Sequence, residues 1–115
     1  MKGASTDKPV VLVTGASAGI GEGIVRRFAA GGFRVVAVAR RQERLAELAK
    51  ALADVADVET VAVDVAQRDA GDRSVDAAMK RFGRLDCLVN NAGSFKFGAV
   101  HEVDDAALDE TVELS

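Results

Sequence analysis

The chain has 115 residues, enough for one domain of ordinary size, and 49% hydrophobic with 29% charged residues is the balance of a globular protein. Its net charge of −3, with 15 basic residues scattered among 18 acidic ones and five Phe but no Tyr or Trp, offers neither a basic stripe nor a stacking platform for nucleic acid. One Cys and one His exclude an internal disulfide and zinc-ligand spacing, and apolar runs of four to seven residues are too short to span a bilayer, so a soluble cytoplasmic protein without metal is expected.

In chain order, residues 1–8 lack the apolar core of a signal peptide and read as a flexible lead-in to a domain over 9–115. Val10-Val11-Leu12-Val13 is β-branched and uninterrupted, as expected of a parallel strand buried on both faces. Thr14-Gly15-Ala16-Ser17-Ala18-Gly19-Ile20-Gly21 follows, and then a helix in which Ile20, Ile24 and Phe28 recur every four residues and are expected to form the buried face. Glycines thus sit where a strand hands over to a helix. There a phosphate meets the free N–H groups and positive dipole end of the helix, and missing Cβ atoms permit close approach. Three glycines in seven residues also suit any tight turn, and Ser17 suits a helix cap equally well.

Gly31-Gly32 ends this helix, and residues 33–39 read as a second strand. A helix over about 41–53 places Leu45, Leu48, Ala49 and Leu52 at i, i+3, i+4 and i+7, with charges on its other face. A third strand covers 58–63 and ends at Asp64-Val65. The next helix carries the stripe Val75, Ala78, Met79 and Phe82 and stops at Gly83. Residues 85–90 form a fourth strand running into Asn91-Ala92-Gly93. After a loop, a last helix is expected from Asp104 or Asp105, with Leu108 and Val112 as its apolar residues. Alternating strands and helices with short links call for an α/β fold, a Rossmann-type doubly wound parallel sheet of about four strands with helices on both faces. Ligands in such sheets sit beyond the carboxyl ends of the strands.

T-G-A-S-A-G-I-G at 14–21, A-R-R at 39–41, D-V at 64–65 and N-N-A-G at 90–93 each stand at a strand end, and together they resemble the short-chain dehydrogenase/reductase family. The resemblance implies a nicotinamide dinucleotide lying across the four strand ends. Gly15, Ser17, Gly19, Ile20 and Gly21, with Ala18 in the same turn, would line the pyrophosphate. Asp64 would meet the adenine amino group beside the backbone of Val65, and Asn91, Ala92 and Gly93 would approach the ribose. Cofactor choice follows from charge. An NAD site places a carboxylate at the end of the second strand to accept from the ribose hydroxyls, whereas here Ala39 is followed by Arg40 and Arg41. A guanidinium can pair bidentately with a 2′-phosphate, so NADP is expected over NAD. The competing reading makes the two arginines the polar first turn of a helix.

The family's chemistry rests on a Tyr general acid/base, a Lys four residues later and a carbonyl-holding Ser, and this chain contains no Tyr. Ser115 stands where the family often has an Asn. No catalytic residue is therefore assigned, and three readings stay open: the NADP-binding part of an oxidoreductase, a non-catalytic module or partner subunit, and an inactive truncated product. Cys87 inside an apolar strand reads as a small core residue, His101 has no role, and Asp86 and Asn90 read as structural. Asp64 could instead cap the segment that follows it, but its place in the family pattern favours the binding reading. The resemblance also implies that the fourth strand has lost its outer neighbour. Its edge at Leu85, Leu88 and Val89 would then favour a homo-oligomer or a complementary chain.

Overall fold

A computed structural model describes residues 8–17, 19–64, 67–92 and, for the backbone, 110–113. The four strands and three helices expected between residues 10 and 90 are present: β1 (Val10–Thr14), α1 (Gly19–Ala30), β2 (Arg34–Ala39), α2 (Gln42–Ala51), β3 (Val58–Ala62), α3 (Ala70–Phe82) and β4 (Cys87–Asn90). A fifth strand, β5 (Glu110–Glu113), completes a sheet ordered β3-β2-β1-β4-β5 with every pair parallel.

Alternate residues of the central strands feed two separate cores. Val11, Val13, Val35 and Ala37 pack with Val25 and Ala29 of α1 and Leu45 and Leu48 of α2 on one face. Val10, Leu12, Val36 and Val38 pack with Val75 and Ala78 of α3 on the other. The period of two along a strand is what splits them, and it explains why β1 and β2 are apolar at every position but the terminal Thr14 and Arg34. Cys87 belongs to the first core, as its apolar surroundings suggested. Gly32 and Gly83 follow α1 and α3 with φ of 93° and 76°, the left-handed values that favour glycine at these ends.

Two expectations are corrected. Ile20 is 73% exposed. The buried side of α1 is Gly21, Val25 and Ala29, with Ile24 and Phe28 only partly covered, so the inward stripe lies one residue further on. The helix comes close to the sheet through a glycine, and the large side chain beside that glycine is turned outward. The second correction concerns the end of the chain. Val112 lies in β5 and not in a helix, while Asp104, Asp105 and Leu108 lie outside the described residues. β4 therefore has no unpaired edge: β1 flanks it on one side, and on the other Cys87 to Asn90 run in register with Glu110 to Glu113. Parallel pairing satisfies the backbone groups of β4, and the β-branched pair Thr111-Val112 suits a strand.

The chain winds from β1 through β2 to β3, then crosses under α3 to β4 on the far side of β1. The direction of winding reverses between β1 and β4, and the C-terminal ends of these strands, Thr14 and Asn90, flank the crevice so formed. Among the described residues no helix is long and apolar enough to cross a membrane.

Candidate functional site

At the crevice, Gly15 and Gly19 have φ of 65° and 59°, values that suit glycine in the turn from β1 into α1. Gly21 serves a different purpose. A Cβ at this position would overlap the Gly15 carbonyl oxygen and lie 2.8 Å from Asn91 Nδ2. Its absence lets the first turn of α1 rest directly on the glycine turn, which holds the free N–H groups of the helix at the strand ends. The turn is tied to the sheet by Ala16 N–H, which donates to Val38 O at 3.1 Å.

Across the crevice a buried polar bridge joins β1 to β4. Thr14 Oγ1 donates to Asn90 Oδ1 at 3.0 Å and accepts from Ala92 N–H at 3.0 Å. Asn91 Nδ2 points at Gly15 O, 3.4 Å away. Thr14 thus fixes the loop after β4 against the glycine turn, a role that its sequence position as the last residue of an apolar strand did not announce. Asn90 is structural, as expected. Thr14→Val keeps the shape but removes the hydroxyl that accepts from Ala92 N–H and donates to Asn90 Oδ1. It is expected to cost about 1–3 kcal/mol, read as a lower urea midpoint with the m-value unchanged.

The other strand ends carry the remaining expected residues. Ala39, 5% exposed, closes β2, and Arg40 and Arg41 follow it, both exposed and without an ion pair among the described residues. Arg41 is the N-cap of α2 by its backbone and makes no capping bond with its side chain. Asp64 is exposed just beyond β3, and its backbone carbonyl accepts from Gln67 N–H at 2.9 Å, so it also shapes the turn that follows. Ser17 is half-buried and precedes α1 by two positions. Gly15, Ser17, Arg40, Arg41, Asp64, Asn91 and Ala92 therefore all fall in the links that leave the C-terminal end of the sheet, and Gly19, Ile20 and Gly21 in the first turn of α1 that follows β1. Ala18, Val65 and Gly93 lie outside the described residues.

Residues 9–115 match the sequence model of the short chain dehydrogenase family. The chain belongs to the short-chain dehydrogenase/reductase family. Within that family it is 41% identical over 109 residues to 11-beta-hydroxysteroid dehydrogenase A of Sesamum indicum, a match covering 92% of this chain and 31% of the relative. Among solved structures, L-sorbose reductase from Gluconobacter frateurii, complexed with NADPH and L-sorbose, superimposes with a TM-score of 0.71 at 40% identity, covering 86% of this chain and 38% of that one. The 3-ketoacyl-(acyl-carrier-protein) reductase of Brucella melitensis, complexed with NADH, gives a TM-score of 0.67 at 42% identity, covering 74% and 34%. The chain spans about a third of the length of these relatives. Solved structures similar to this chain thus include complexes with NADH and with NADPH.

Proposed function

We propose that residues 9–115 form the NADP-binding part of a short-chain oxidoreductase, one that transfers hydride between NADP(H) and a carbonyl or alcohol substrate. The observation that carries the choice of NADP is the end of β2. Ala39 presents no carboxylate there, and two exposed arginines without ion-pair partners among the described residues follow it. A carboxylate would accept from ribose hydroxyls and repel a 2′-phosphate, whereas a guanidinium does the reverse. One charge-assisted contact contributes about 1.5–3 kcal/mol, or roughly tenfold or more in relative affinity. In this reading Gly15, Ser17, Ala18, Gly19, Ile20 and Gly21 hold the pyrophosphate, Asp64 and Val65 the adenine, and Asn91, Ala92 and Gly93 the ribose.

When bound, the dinucleotide supplies the hydride. The residues of this chain bind and orient it: helix N–H groups face the pyrophosphate, and the Thr14 bridge holds the ribose side of the crevice in place. Titration of the chain with NADPH and NADH, followed by nicotinamide fluorescence, tests the reading. NADPH should bind more tightly, and Arg40→Asp should reverse the order. An unchanged NADPH/NADH affinity ratio in that variant would refute the assignment of Arg40.

The alternative reading is a non-catalytic NADP-binding module or partner subunit. A positioned acid or base contributes about 10²–10⁴-fold to such reactions. Saturable NADPH binding without carbonyl-dependent NADPH oxidation favours the alternative reading, and turnover by the chain itself removes it.

A further inference from the structure

We propose that Arg44 is a second determinant of cofactor choice, its guanidinium reaching the adenosine 2′-phosphate from the first turn of α2; this rests on the NADP reading above. A cleft of about 280 Å³ opens between the glycine turn and the two helices of that face, lined by Ser17, by Glu22 and Arg26 of α1, and by Arg44, Glu47 and Leu48 of α2. Ser17 makes the cleft continuous with the turn assigned to the pyrophosphate. Its four charges are not equivalent. Arg26 is committed to Glu22, with Nε and Nη2 at 3.0 and 2.9 Å from the same carboxylate oxygen. Arg44 is exposed and has no ion pair among the described residues. It is the cleft cation left available for an incoming anion.

Position strengthens the assignment. Arg44 stands three residues after Arg41, the N-cap of α2, so the two occupy neighbouring places on one side of the helix. Cations in the first turn of a helix oppose its dipole, so helix stability does not account for Arg41 and Arg44 there. The 2′-phosphate carries between one and two negative charges at neutral pH and offers the geometry that a guanidinium grips with two hydrogen bonds. NAD has a hydroxyl at the same place. A contact from Arg44 therefore separates the two cofactors, whereas a contact to the shared pyrophosphate would not. Glu47, on the same cleft wall, acts in the opposite direction by repelling the phosphate.

The test compares the unsubstituted 115-residue chain with Arg44→Ala, Arg44→Lys and Glu47→Gln, measuring Kd by calorimetry for NADPH, NADH, 2′,5′-ADP and 5′-AMP. Arg44→Ala is expected to weaken NADPH and 2′,5′-ADP about tenfold while leaving NADH and 5′-AMP within about twofold. Arg44→Lys should recover part of the loss, since the charge stays and the fork is gone. Glu47→Gln should tighten NADPH and leave NADH unchanged. Equal weakening of both cofactors, or of neither, overturns the inference, and circular dichroism confirms that each variant is folded. If Arg40→Asp reverses the preference while Arg44→Ala changes nothing, this inference alone fails. If the unsubstituted chain binds NADH as tightly as NADPH, the NADP reading fails with it.

Discussion

Gly21→Ala is expected to lower the stability of the chain by about 2–3 kcal/mol, although alanine is the better helix former, because the new methyl has nowhere to go. The added Cβ would overlap the Gly15 carbonyl oxygen and lie 2.6 Å from the Gly15 carbonyl carbon and 2.8 Å from Asn91 Nδ2. Two of these three atoms are backbone, so no side chain can swing aside to clear them. Either α1 withdraws from the turn or the turn gives up its left-handed conformation at Gly15. Both movements carry the helix N–H groups away from the crevice, so NADPH affinity should fall at least about tenfold along with stability. Gly23→Ala is the control. Gly23 lies in the same helix, is exposed, has an ordinary negative φ and meets nothing within 4 Å of an added Cβ. That substitution should raise stability by about 0.5–1 kcal/mol. Urea unfolding of both variants decides the matter. Equal stability for the two would mean that α1 does not rest on the turn as described.

The same glycine marks the limit of what the sequence displays. In α2 the inward face is made of large apolar side chains, and the spacing of Leu45, Leu48 and Leu52 identifies them correctly; in α3 the spacing finds Val75 and Ala78, with Met79 and Phe82 only partly buried, and passes over the small buried residues Gly71 and Ser74. In α1 the closest approach to the sheet is made by a residue without a side chain. A count of hydrophobic groups selects Ile20 and passes over Gly21. The strands were legible because burial on both faces leaves only apolar residues at most positions of β1 and β2. Leu108 and Val112, four residues apart, fit a helix as well as anything. Pairing with β4, which no local pattern encodes, makes residues 110–113 a strand. The candidate site divides in the same way. Its glycines and arginines were legible because topology alone puts strand ends on one side. The Thr14–Asn90 bridge joins residues 76 apart and appears only once the sheet is assembled.

At the opposite end of the sheet, Asp86→Ala is expected to cost about 2–4 kcal/mol, measured in urea at neutral pH, without changing nucleotide affinity in the folded protein. The first registered pair of β1 and β4 is Val11 with Cys87. One residue earlier, Asp86 extends the pairing: its N–H donates to Val10 O at 2.9 Å, and its Oδ2 accepts from Val10 N–H at 2.8 Å. Arg84 grips the same carboxylate, Nε to Oδ2 at 2.8 Å and Nη2 to Oδ1 at 2.6 Å. Val10 is fully buried, so removing the carboxylate strands its N–H, while Arg84 is part-exposed and is not stranded in the same way. Asp86→Asn retains one acceptor and should cost less. Burial pushes the Asp86 carboxyl up, but the hydrogen bonds from Arg84 and Val10 N–H, with the charges of Arg84 and Arg34, outweigh it and hold the carboxyl below its usual 3.8. A carboxyl that is more acidic in the folded state stabilises the fold above its unfolded value, and this stabilisation is lost as pH falls through the folded value. The stability gap between the unsubstituted chain and Asp86→Asn should therefore be widest near neutral pH and narrow below about pH 4. A gap that does not depend on pH would show that ionisation of the Asp86 carboxyl contributes nothing to stability. Gly21→Ala should alter stability and nucleotide affinity together, whereas Asp86→Ala should alter stability alone, because the parallel sheet places the Asp86 clamp at one end of the strands and the crevice at the other.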